Sequence, residues 1–225
     1  MESNMSDTQL LKNVAEQNQR IVEKAQLNRF QWLQCALNIF VSEGINSVRV
    51  TRIADELNVS RGSFYWHFDN REDLVSDLVK FWKEKNTNGI IQSVNQPESL
   101  HQGIFKFFET TINEALFDSR LDLAVREWAR RSEKVRKLLD FEDQTRITAI
   151  RNFFELFGYH STDALIRARV LYFSQIGFYA LSVKEPLKVR VNYTEHYYEC
   201  FTGKKAPKKA IKDFQNHILT IYGEP

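Results

Sequence analysis

Residues 51–73 read TRIADELNVSRGSFYWHFDNRED. The stretch gathers side chains of one chemical kind: hydrogen-bond donors and flat apolar surfaces at close spacing. Arg61 can hold a phosphate, or bond a guanine edge through two parallel N–H groups. Ser63, Tyr65 and His67 carry groups suited to phosphate oxygens. Trp66 can lie against a thymine methyl or a sugar. Gly62 costs about 1 kcal/mol in a helix relative to Ala, yet its bare surface lets a backbone approach a groove closely. Arg71 follows Asn70 at an expected helix start, where free amides and the dipole favour an anion. Thr51 and Arg52 hold the equivalent place one helix earlier. The chemistry implied is the gripping and reading of double-stranded DNA.

Such groups need a frame, and the apolar spacing supplies one. Ile53, Ala54 and Leu57 give a short helix over 51–57 one apolar face. Asn58 follows where a left-handed residue is needed, a conformation Asn tolerates. Val59 is expected buried in the turn, and Ser60 is expected to cap a second helix over 61–68. Phe64 and Phe68 lie four apart and face inward. Asn70 caps the next helix, with Asp73 three residues on. Two short helices joined tightly form a helix-turn-helix. Charge does not carry this reading, since Asp55, Glu56, Asp69, Glu72 and Asp73 offset Arg49, Arg52, Arg61 and Arg71.

The whole chain agrees with a local rather than a global footprint. Its 225 residues carry a net charge of only +2, with 43% hydrophobic and 27% charged residues, an ordinary globular composition. Seventeen Phe, eight Tyr and four Trp can line a sizeable apolar interior or pocket. Cys35 and Cys200 stand far apart and are expected as reduced thiols in a cytoplasmic protein. No apolar run approaches the ~20 residues of a membrane span, and the polar N-terminus is unlike a signal peptide. His101, His160, His196 and His217 are scattered, without metal-ligand spacing. No paired carboxylates or nucleophile–base motif stands out, so no catalytic residue, metal or cofactor is assigned.

Pro and Gly are sparse and fall between periodic segments, which favours an all-α chain. A helical extension is expected over 1–27, with Leu11, Val14, Ile21 and Ala25 at helical spacing. Leu33, Ala36, Leu37 and Phe40 form the stripe of the first head helix, closed by Gly44. After Asn70 a longer helix places Leu74, Leu78 and Phe81 on one face. The body then holds helices after Pro97, over 121–130, over 132–157 with Ser132 as cap, and over 161–183 with Ser161 as cap. Asn192 with Glu195 resembles a capping box for a helix ending near Gly203. After Pro207 a final helix aligns Ile211, Phe214, Ile218 and Ile221. The expected organisation is a three-helix helix-turn-helix head over 28–75, a larger helical body over 76–203, and a basic linker with a C-terminal helix over 204–225. The lysine-rich run GKKAPKKAIK is expected to be solvated.

The run IADELNVSRGSFYWHFDNREDL resembles the N-terminal domain of the TetR/AcrR family of one-component regulators, over about residues 28–82. The family usually has Gly where this chain has Asn58. The resemblance implies that Thr51 and Arg52 touch backbone phosphates. Arg61, Gly62, Ser63 and Trp66 would face the major groove, Tyr65 and His67 would clamp phosphates, and Arg71 would hold another. It implies a body that binds a small effector and dimerises through the helices near 161–183 and 192–202. The stretch RLDLAVREWARRSEKV resembles a motif of one branch of the family. Phe105, Phe108, Trp128, Tyr172 and Gln175 are the pocket candidates, suited to an apolar or aromatic molecule. The expected function is that of a repressor released from a palindromic operator by that effector. An effector-independent activator or architectural protein of the same fold is the alternative, and a helical enzyme the remaining one.

Overall fold

The structure is a computed structural model that describes residues 27–223. The helix expected over 8–26 lies outside the described residues. All described secondary structure is helical, and none of these helices is long and apolar enough to cross a membrane. The chain divides into two compact units at Lys80, inside helix α3.

In the first unit, α1 spans Arg29–Glu43. It starts on a reciprocal cap, with the Asn28 side chain accepting from the Gln31 amide and the Gln31 side chain accepting from the Asn28 amide. That satisfies two of the amides a helix start leaves open. Gly44 ends the helix at φ 85°, a conformation that suits glycine. A 3-10 turn, Ile45–Ser47, leads to α2, Val50–Glu56. Asn58 turns the chain at φ 54°, as its side chain allows. Next comes Arg61–Trp66, and then α3, Arg71–Trp82. Trp32, Ile53, Phe64, Phe68 and Leu74 are fully buried between these elements, and Phe64 meets Trp32 edge-on at 5.4 Å. Each such ring removes about 1.5–3 kcal/mol worth of apolar surface from water.

Two details differ from the expected helices. The second short helix is a 3-10 helix of six residues rather than an α-helix over 61–68. Ser60 makes no side-chain cap; instead the Ser63 hydroxyl donates back to the Ser60 carbonyl at 2.8 Å. Val59 is half-buried rather than enclosed.

In the second unit a π-helical turn, Lys83–Thr87, precedes α4, Asn88–Ser93. There follow α5 (Leu100–Ile112), α6 (Ser119–Ala129), α7 (Glu133–Leu156), α8 (Ser161–Ala180), α9 (Leu187–Asn192), α10 (Thr194–Thr202) and α11 (Lys208–Tyr222). The most extensive packing pairs α7 with α8. Side chains of Ser99, Asp118 and Ser132 cap α5, α6 and α7. Ser161 is already helical and His160 precedes it without a side-chain cap. Asn192 ends α9 and does not cap α10, whose start has no side-chain cap. Ile211, Phe214 and Ile218 are buried but Ile221 is 55% exposed, because α11 is in its last turn there. Phe81 is only half-buried, and Trp82 beside it is the enclosed ring.

The body also encloses charge. Arg146 is 0% and Asp122 1% exposed. Asp122 Oδ1 accepts from Arg146 Nη1 at 2.9 Å and from the Trp82 indole at 2.9 Å, while Oδ2 accepts from Arg126 Nε at 2.9 Å. Arg126 grips Asp143 through two bonds of 2.8 Å. The Tyr172 hydroxyl donates to Asp143 at 2.7 Å and accepts from both arginines at 2.9 Å. Burial alone would raise the Asp122 pKa, but Arg146 and Arg126 outweigh it and hold the carboxyl below its usual value. Two carboxylates and two guanidinium groups cancel, which is the condition under which buried ions are tolerated.

Candidate nucleic-acid interface and body cavity

The 3-10 helix sorts its residues sharply. Phe64 is fully buried and stacks on Phe68 at 5.2 Å. Its neighbours point outward: Tyr65 is 63% and Trp66 86% exposed. Phe64 meets the Tyr65 ring edge-on at 5.3 Å, which fixes how the ring leaves the surface. Arg61 and Gly62 are exposed, and among the described residues Arg61 has no ion-pair partner. A Cβ on Gly62 would meet only the Ser60 hydroxyl, at 3.6 Å, and the residue needs no positive φ. Nothing within the head therefore demands a glycine there. Ser63 and His67 are half-buried, and Thr51 is exposed on α2.

Arg52 and Arg71 stand elsewhere than expected. Arg52 is held between Glu43 at 2.8 Å and Glu56 at 2.6 Å, and these bonds raise its pKa. It ties α1 to α2 instead of presenting a free charge to a phosphate. Arg71 Nε donates to the Val48 carbonyl at 2.6 Å and Nη2 to the Ile45 carbonyl at 2.8 Å. These groups lie in the connection between α1 and α2, where the Ile45 carbonyl also accepts from the Val48 amide at 3.2 Å. Arg71 is therefore a positioning residue. Nor is the start of α3 an open anion site. Asn70 accepts from the Asp73 amide at 2.9 Å, and Asp73 accepts from the Asp69 amide at 3.2 Å.

Arg29 is the head residue that the motif did not reveal. It bonds Asp73 at 3.0 Å, Asp77 at 2.7 Å and the His67 carbonyl, and its guanidinium lies 4.0 Å over Phe68. Its bond to Asp73 is the main reason that carboxyl titrates below its usual value. Arg29 thus fixes where the 3-10 helix ends relative to α3. Only its place one residue after the Asn28 cap could have marked it.

In the body a cavity of about 120 Å³ opens between α5, α8, α9, α10 and α11. Of the five pocket candidates, Phe108 and Gln175 line it. Tyr172 does not: it is 1% exposed and its hydroxyl is consumed by the buried charges. Phe105 is core, stacked on Phe214 at 4.6 Å. Trp128 is half-buried on α6, away from the cavity. The spacing of rings on α5 could not separate lining from core, because Phe105 and Phe108 share one broad apolar face. Arg190, which does line the cavity, escaped notice as one cation in a short basic stretch.

Comparison with known proteins finds relatives for the head. Residues 33–78 match the sequence model of the family described as bacterial regulatory proteins, tetR family. The match covers the frame that places the 3-10 helix and is confined to this segment of the chain. The transcriptional regulator TtgR of Pseudomonas putida is 30% identical over 102 residues, 45% of this chain and 49% of that protein. AcrR of Shigella flexneri is 35% identical over 66 residues, 29% of each chain. The chain thus spans about half the length of the first of these relatives and less of the second. A Rhodococcus transcriptional regulator superposes with TM-score 0.54 at 16% identity, covering 88% of this chain and 100% of that one. A TetR/AcrR-type regulator from Aquifex aeolicus gives TM-score 0.52 at 16% identity, covering 86% and 99%. At that identity they show the fold alone: a helical head followed by a helical body.

Proposed function

We propose that the protein is a DNA-binding transcription regulator that acts as a homodimer. The observation that carries this reading is the outward pair Tyr65 and Trp66 beside Gly62, which leaves an open, unpaired Arg61 on a rigidly packed frame. Exposed aromatics that large are costly to hold in water unless a partner covers them. Arg61, Gly62, Ser63 and Trp66 would face base edges, and Thr51, Tyr65 and His67 the backbone. Arg52 and Arg71 position this surface from within the head.

A dimer is supported by a second surface. Ile166, Val170, Phe173 and Leu181 are 50%, 44%, 53% and 78% exposed along one side of α8. Gly177 lies between them, and a Cβ there would meet nothing within 4 Å. Tyr193 and Tyr197, by α10, are also exposed. Apolar residues at that helical spacing suit a self-complementary two-fold contact through α8 and α10. Two heads related by a two-fold require a palindromic site, with half-sites about 34–36 Å apart or a multiple of it. The reading is completed as repression, with an effector bound in the body shifting the population away from the DNA-bound form.

Selection of bound fragments from random DNA tests the whole. A palindromic preference with binding that falls steeply between low and physiological salt is expected. Binding without half-site symmetry, or indifferent to salt, refutes it.

A further inference from the structure

Most arginines in the body have a carboxylate at hand; Arg190 does not. Among the described residues no acid lies within ion-pair distance of it. Glu185 acts on it only through space, and burial holds its pKa below the ordinary guanidinium value. Its guanidinium lies 4.2 Å over the Phe178 ring, and Nη2 donates to Gln175 Oε1 at 3.2 Å. That bond turns the other end of the amide away from Arg190. Gln175 Nε2 is buried and has no acceptor. Both residues line the cavity. The apolar wall opposite is made by Phe108, Ile112, Leu171, Val191 and Phe201, with Phe201 held edge-on to Phe108 and stacked on Tyr197.

A cation without a counter-ion and a buried amide form a polar end of a cavity lined largely by apolar side chains. A half-buried cation without a counter-ion is costly, and a carboxylate is the group that fits a guanidinium through parallel bonds. We propose that this cavity binds a compact carboxylic acid, its carboxylate received by Arg190 and Gln175 and its ring or short chain packed on Phe108 and Phe201. The volume of about 120 Å³ sets the size. An apolar cavity of about 150 Å³ holds one benzene ring, so this smaller one encloses a short chain or part of a single ring, and not a long chain. The inference deepens the effector part of the function above, and rests on that reading only for its consequence at DNA.

The test is calorimetric titration of the full chain with benzoate, phenylacetate and hexanoate, against neutral benzamide. At least one acid is expected to bind once per chain and at least tenfold more tightly than benzamide. Arg190→Gln should erase that preference, bringing the acid down to within about threefold of benzamide. Should Arg190→Gln fail to fold, Gln175→Leu carries the same test, with a loss of threefold or more confined to the acids. Benzamide binding as tightly as every acid, or no acid binding, overturns the proposal. Anisotropy on a selected operator with and without the bound acid separates the two readings. An acid that binds without moving operator affinity sinks the effector reading and leaves the ligand class standing. DNA binding without acid binding does the reverse.

Discussion

Head and body use the same side chain for opposite ends. In the body, Arg126 and Arg146 are buried with Asp122 and Asp143 and sum to no charge. In the head, Arg29, Arg52 and Arg71 lie nearer the surface and tie one backbone segment to the next. Among the arginines outside this pairing are Arg61, beside open aromatics, and Arg190, at the polar end of a cavity. A paired arginine is spent on the fold. The ones without a partner stand where something from outside would complete them.

The comparison breaks most readily in the body. Asp122→Asn leaves Arg126 and Arg146 with Asp143 as their one shared carboxylate, and should cost about 3–5 kcal/mol in a urea denaturation series. The Asp122 carboxyl is depressed in the folded state, so its contribution is present above the unfolded carboxylate value near pH ~3.9 and is lost as pH falls through the folded value. Wild type should therefore lose stability over that acid range more steeply than the Asn variant. Equal slopes would mean the network does not carry the charge assigned to it.

In the head, Arg71→Ala should cost about 1.5–3 kcal/mol, the range for a hydrogen bond to a charged group. Faster amide exchange across residues 45–56 would report it. Lys at this position should not restore the loss, since it lacks the planar fork that reaches two carbonyls. DNA affinity lost with no change in exchange would return Arg71 to the interface. Trp66→Ala and Arg61→Ala should instead weaken operator binding by about 1–3 kcal/mol while melting as wild type does. A drop in melting temperature would count these side chains as structure. The smallest effect belongs to Gly62→Ala: stability unchanged or raised by up to about 1 kcal/mol, with DNA affinity reduced. Unchanged affinity would show that no close approach occurs there.

Much of the head was legible in advance. Ile53, Phe64 and Phe68 declare themselves by spacing, and Asn58 by the sterics of a left-handed residue. What spacing could not convey is which arginines are already taken. The acceptors of Arg71 are carbonyls 23 and 26 residues away, and carbonyls leave no mark in a sequence. Glu43, nine residues from Arg52, is equally mute until α1 and α2 are packed. In the body the rings were visible but their sides were not. Tyr172 and Phe105 turn to the core, whereas Phe108 and Gln175 turn to the cavity. The 3-10 winding of Arg61–Trp66 had no signal beyond Gly62 and Ser63, two weak helix formers.

The π-helical turn Lys83–Thr87 constrains how this chain can change length. Its wide winding brings Asn86 to the Asp118 carbonyl at 2.8 Å and Thr87 to Arg146 at 3.1 Å. Deleting one residue there would restore ordinary winding and leave α4 close to its present register, because the wide turn absorbs the extra residue. Asn86 and Thr87 would then lose their places against Asp118 and Arg146. Variation by insertion or loss is therefore confined to the surface connections on either side, while this segment is bound to its present length.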